Sequence, residues 1–307
     1  MAVLLCCWST TLVAQDELTQ LRNQVAQLET ENRRLRGLVI MLAYMQKAQN
    51  GFAAEATIDD NRKAKIVVAN AGWGEGRPQD VAAVCISAAE TVFRAIKPDK
   101  GNEPTMLVIP DDAGPMVVSQ RGPNGEYFVL LSARDRHWSQ VAYQFSHELG
   151  HVLCGDLSLD MPQHWFEESF CESLSLWTMD SMGKSWQTNP PHDNWKDYAS
   201  SLSSYIADVR KRVPDSDAVG EWYKQHSDLL SREPYDRDKN LVIAKKLAAY
   251  AHEKPDFYQS FYYLRRGNDP QTDSMEWLLA NWAENCPESF RFGPKMVSEL
   301  LSVEPRK

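Results

Sequence analysis

His147-Glu148-Leu149-Gly150-His151 sets two imidazoles one helical turn apart with a carboxylate between them, the spacing that a catalytic zinc needs. Residues four apart on an α-helix share a face, so both rings can point at one ion while Glu148, one position round, reaches toward water bound to it. The flanks read as helix. From His137 to Cys154 there is no Pro, Gly150 is the sole Gly, and Val141, Phe145, Leu149, Val152 and Leu153 recur at near-helical spacing. This predicts one helix stopped at Gly155, with its apolar stripe in a core and its histidine face over a cleft. On these five residues alone, a buried helix whose histidines merely hydrogen-bond to their neighbours fits equally well.

A second segment favours the metal. His164-Trp165-Phe166-Glu167-Glu168-Ser169-Phe170-Cys171-Glu172-Ser173-Leu174-Ser175-Leu176-Trp177 reads as a helix with Phe166, Phe170, Leu174 and Trp177 on its apolar face and Glu168 and Glu172 on an adjacent stripe. Two carboxylates one turn apart repel, so a partly buried helix that carries them calls for a cation or donors nearby.

The run His147 to His151 followed by Trp165-Phe166-Glu167-Glu168-Ser169-Phe170 resembles the pattern of the gluzincins, the group of thermolysin and the zinc aminopeptidases. The resemblance covers the segment from about Ser146 to Leu176. It implies a zincin-like α+β catalytic domain, with a small mixed or antiparallel sheet and zinc-site helices, and a zinc ion (Zn2+) held by His147, His151 and Glu168. Glu167 stands where the family has Asn, and the short interval after His151 keeps it open as an alternative third ligand. Glu172 matches a carboxylate that orients a ligand histidine through its second nitrogen. The implied reaction is peptide-bond hydrolysis, with Glu148 as general base to the zinc-bound water. Family members add a Tyr or His from the C-terminal half to stabilise the oxyanion, and Tyr198, Tyr205, His192 and His226 are the candidates here.

Upstream, Thr105–Ile109, Met116–Val118 and Tyr127–Leu131 read as strands, and Gly122-Pro123-Asn124-Gly125 closes the last two into a hairpin. One hairpin strand is expected either to receive an extended peptide substrate along its edge or simply to cover the core. Ile66 to Asn70 reads as a first strand, Pro78 to Ile96 as a helix and Pro98 to Pro104 as a loop. Beyond Trp186 helical periods follow at Asp197–Val209, Asp217–Leu230, Lys239–Lys254, Pro255–Arg265 and Asp273–Trp282.

The N-terminal part is of another kind. Leu18, Val25, Asn32, Val39 and Gln46 alternate with Leu21, Leu28, Leu35 and Leu42 by three and four, a heptad pattern in which four of the five a positions are β-branched or polar and every d position is leucine. A two-stranded parallel coiled coil, and so a homodimer, is expected; the competing reading is a single amphipathic helix lying on the catalytic domain. Ahead of it, residues 1–15 resemble a secretory leader with a cut after Ala14, which implies export to the periplasm or extracellular space, with a cytoplasmic chain as the alternative. The stretch is too short to span a bilayer.

The expected organisation is a leader at 1–15, a coiled-coil helix at 16–49 and a catalytic domain at 60–307. Within that domain a mixed α/β lobe runs to about 135, the zinc helices occupy 137–180, and a helical C-terminal lobe covers 190–307. Cys85, Cys154, Cys171 and Cys286 are compatible with two disulfides or with four buried thiols, and none has the Cys-x-x-Cys spacing of a zinc finger. A formal net charge of -9 argues against nucleic acid as a partner. The alternative from another functional class is a coiled-coil scaffold protein whose zinc centre is structural or degenerate.

Overall fold

The computed structural model describes residues 37–155, 163–266 and 274–306, together with Gln24, Leu28, Glu31 and Leu35. The expected leader and the heptad residues Leu18, Leu21, Val25 and Asn32 lie outside the described residues. Two units are distinguished, Met1–Gln46 and Lys47–Lys307. The N-terminal helix, α1, is continuous over residues 37–48 and is also helical at Gln24, Leu28, Glu31 and Leu35.

In the second unit, β1 (Phe52–Asp59) runs antiparallel to β2 (Arg62–Val68). Ala64, Ile66 and Val68 are buried while Lys63 and Lys65 are exposed, the period-two alternation of a strand with one covered face. β3 (Thr105–Pro110) lies parallel to β2, and β5 (Tyr127–Leu131) lies parallel to β3. Both are almost wholly buried, as central parallel strands are. β4 (Met116–Val117) pairs antiparallel with β5, giving a five-stranded mixed sheet of order β1-β2-β3-β5-β4. The expected hairpin is present: Gly122 N donates to Glu126 O at 2.9 Å, and Gly125, at φ 82, occupies the left-handed region that glycine adopts without strain. Two sequence expectations need correcting. The first strand seen at Ile66–Asn70 starts at Arg62 and ends at Val68, and Phe52–Asp59 forms an unanticipated strand ahead of position 60.

Helix α2 (Pro78–Phe93) lies in the chain between β2 and β3, and α3 (Trp138–Cys154) and α4 (His164–Ser185) follow the last strand. α3 ends at Gly155, whose φ of 115 stops the helix as its sequence predicted. α4 runs two turns beyond the expected Trp177 and is the central helix, packed against α2, α3, α5 (Ala199–Lys211) and α7 (Arg237–Glu253). Its buried serines satisfy themselves on the backbone: Ser169 Oγ donates to Trp165 O at 2.9 Å and Ser173 Oγ to Phe170 O at 2.7 Å. α6 (Val219–Arg232), α8 (Phe257–Phe261), α9 (Met275–Asn285) and α10 (Phe292–Leu301) complete the C-terminal half, α10 being the one that the periodicity did not announce. One buried cluster extends from Ala56 in the sheet to Leu301 in α10, so sheet and helices share a core. The four cysteines among the described residues are free and buried, the second of the two alternatives left open by their number.

Candidate metal centre

Two stripes of residues at four-residue spacing face each other, Tyr143, His147 and His151 on α3 and His164, Glu168 and Glu172 on α4. They pair in reverse order, as antiparallel helices require. The Tyr143 hydroxyl donates to Glu172, His147 Nε2 lies 3.2 Å from Glu168 Oε2, and the His151 and His164 rings stack at 6.0 Å. Gly150 makes the approach close, since a Cβ there would meet Cys171 Sγ at 2.7 Å.

Glu168 sits in the middle of this ladder. Its Oε1 lies 3.5 Å from His151 Nε2 and 3.2 Å from His164 Nε2. One ligand atom from each of His147, His151 and Glu168 falls within 4.8 Å of the others, so these three residues could hold a metal ion. The surroundings suit such a role. Each histidine turns its Nε2 toward Glu168 and its Nδ1 toward another carboxylate, Glu172 at 3.6 Å from His147 and Glu167 at 2.7 Å from His151. Such outer carboxylates fix the tautomer and orientation of ligand imidazoles. Glu167, the alternative third ligand, is therefore engaged on the far side of His151, and its second oxygen accepts from Arg265 Nε at 3.1 Å.

The electrostatics reflect four carboxylates and three imidazoles packed together and largely removed from water. Burial opposes charge on His147, but hydrogen bonds to Glu168 and Glu172 outweigh it and hold the ring well above its ordinary pKa. Burial likewise opposes charge on His151, which the Glu168 charge and the Glu167 hydrogen bond raise. Glu168 is half-buried, which opposes its charge, yet the charge of His151 and the hydrogen bonds from His147 and His164 keep it well below the carboxylate range. Glu148 differs: burial pushes its carboxyl upward, with the histidine charges pulling it partly back. A carboxyl raised toward neutrality beside a metal position suits proton transfer.

A cavity of about 580 Å³ opens over these residues. Its lining includes Pro115 to Gln120, with edge strand β4, and Tyr205, Val209, Arg212, Tyr235, Arg237 and Asn240 from the helical half. Of the four oxyanion candidates, Tyr205 alone lines this cavity, its ring 5.4 Å from that of Tyr143. The other three are engaged elsewhere. The Tyr198 hydroxyl accepts from Ser139 N at 3.2 Å and so caps the start of α3. His192 lies edge-on to Trp195 with Nε2 3.6 Å from Asp80, and the ring of His226 stacks on Trp222.

Sequence reading passed over Tyr143 and His164, although each lies one turn before a named ligand and the spacing was there to be read. His164 is buried, and its Nδ1 has no hydrogen-bond partner among the described residues. No protein-family model matches this chain, and no curated protein or solved structure does either.

Proposed function

We propose that this chain is a zinc-dependent peptide hydrolase of gluzincin-like arrangement with a zincin-like catalytic domain. The observation that carries the reading is the convergence of His147, His151 and Glu168 beside buried Glu148 at the floor of a cavity flanked by an edge strand. Two neutral imidazoles and one carboxylate are a donor set that zinc accepts, leaving the centre a net positive charge and an open position. Zinc held there supplies a Lewis acid that acidifies water and favours negative charge on a carbonyl oxygen.

The protein residues do the rest. Met116 and Val117 offer the free edge of β4 to an extended peptide, whose backbone adds to the sheet and brings a carbonyl over the site. Glu148 accepts a proton from the attacking water on its carboxylate and returns it to the leaving amine. The Tyr205 hydroxyl, kept protonated by burial and by the Glu172 charge, supplies a hydrogen bond to the developing oxyanion. Glu172 and Glu167 hold the two imidazoles in orientation from behind.

The test is a comparison of the parent with Glu148→Gln for zinc content and peptide cleavage. A variant that retains zinc and loses cleavage by a factor of about 10² or more supports the reading. A parent that carries full zinc and cuts no peptide sinks it and leaves the scaffold alternative.

A further inference from the structure

Within the cavity, negative charge is matched from within almost everywhere. Glu167 is held by His151 and Arg265, Glu172 by Tyr143 and His147, and Glu168 by three histidines. The wall from Pro115 to Gln120 contains no charged residue. Of the two arginines that line the cavity, Arg212 is ion-paired with Asp238, whereas the charge of Arg237 is not matched in this way. Arg237, the first residue of α7, lines the cavity, and its side chain makes no hydrogen bond or ion pair with any described residue. Its charge is near enough to lower the pKa of both Glu148 and Tyr205, which line the same cavity. Arg212 lines the same side and acts on Tyr143 and Tyr205. Its Nη2 donates to Asp238 at 2.5 Å, which ties the guanidinium to the residue next to Arg237.

We infer that Arg237 and Arg212 form a carboxylate receptor at the cavity mouth, so that the preferred substrates are peptides carrying a carboxylate close to the bond over Glu148. The inference deepens the hydrolase reading and rests on it for the word substrate; the binding site itself does not. Guanidinium forks match carboxylates in two-point hydrogen bonds, and both arginines are exposed and so open to a ligand. A strand added to β4 turns alternate side chains to opposite sides, so one acidic side chain, or the terminal carboxylate of a short peptide, can reach the arginine wall while the backbone stays on the sheet edge. The two sources share one chemistry and differ in where the peptide must end.

Binding is measured on the full chain carrying Glu148→Gln, which holds a peptide without cutting it, and cleavage is measured on the parent. Synthetic peptides are used in matched pairs, Glu against Gln at residues flanking the centre and free acid against amide at the C-terminus. The expected result is binding about tenfold tighter for the carboxylate-bearing member, the worth of one charge-assisted hydrogen bond. That preference should be lost in Arg212→Gln/Arg237→Gln. Dependence on Glu assigns the receptor to side chains, and dependence on the free acid assigns it to chain ends. Equal binding of all pairs, or a preference that survives the double substitution, overturns the inference even if the parent cleaves peptides. A carboxylate preference in a protein that cuts none of them leaves the receptor standing and removes the hydrolase.

Discussion

Glu167 lies 2.7 Å from Nδ1 of His151 while its neighbour Glu168 faces Nε2 of the same ring at 3.5 Å, so two adjacent carboxylates grip one imidazole from opposite sides. Adjacent helical positions point about a quarter-turn apart, and the ring of His151 fits the gap. This separates the roles of two residues that the sequence left interchangeable. If the proposed zinc site is correct, Glu168→Gln removes a ligand and should abolish tight zinc binding. Glu167→Gln weakens an orienting contact and should cost about 10–100-fold in affinity. Competition with a chelator of known affinity reads both. If the larger loss follows Glu167→Gln, the ligand assignment is reversed.

Metal and proton compete for the same nitrogens. In the metal-free protein His147 and His151 titrate above the ordinary value of 6.5. A raised folded value contributes stability that is full below 6.5 and is lost as pH rises through the folded value. The lowered carboxylates Glu167 and Glu168 act oppositely, contributing above their ordinary 4.5 and losing that contribution in acid. The metal-free site is therefore most stabilising between these limits and weakens on the alkaline side. Zinc requires neutral imidazoles, so its binding strengthens over the range where the metal-free ion pairs fail. The rise in melting temperature on adding zinc should grow from pH 6 to pH 8, with up to about 1.4 kcal/mol per pH unit for each proton displaced. A zinc increment that is flat or falls with pH rules out His147 and His151 as the ligands.

Much of this centre could be read from the chain because its determinants are local. The pair His147 and His151, the stop at Gly155, and the glutamates on α4 all follow from spacing along single helices, as does the turn between β4 and β5. What escaped depends on partners distant in sequence. Phe52–Asp59 is rich in alanine, a poor strand former, and is a strand because Ala54 and Ala56 pair with Ile66 and Ala64 of β2. Tyr143 and His164 have no meaning on their own helices. They acquire one when α3 and α4 run antiparallel at close range, which the contact of Gly150 with Cys171 permits. Tyr205 and Tyr198 were indistinguishable until the chain placed one in the cavity and the other at a helix terminus.

The N-terminal unit carries the remaining prediction. Leu28, Leu35 and Leu42 are exposed at 70%, 49% and 61%, and Val39 at 67%. These are three d positions and one a position of the heptad pattern, so the seam is open at these described positions. A row of leucines at this spacing gains by burial against a matching row, at roughly 25 cal/mol for each Å² removed from water, and a second copy of the chain offers the same seam. A charge at d would have to be buried at the interface without a partner. Light scattering on the full-length protein should report the mass of a dimer, and Leu28→Glu/Leu35→Glu should report that of a monomer with its zinc content unchanged, because the ligands all belong to the other unit. A parent that runs as a monomer at micromolar concentration removes the homodimer, and a double variant that stays dimeric moves its interface elsewhere on the chain.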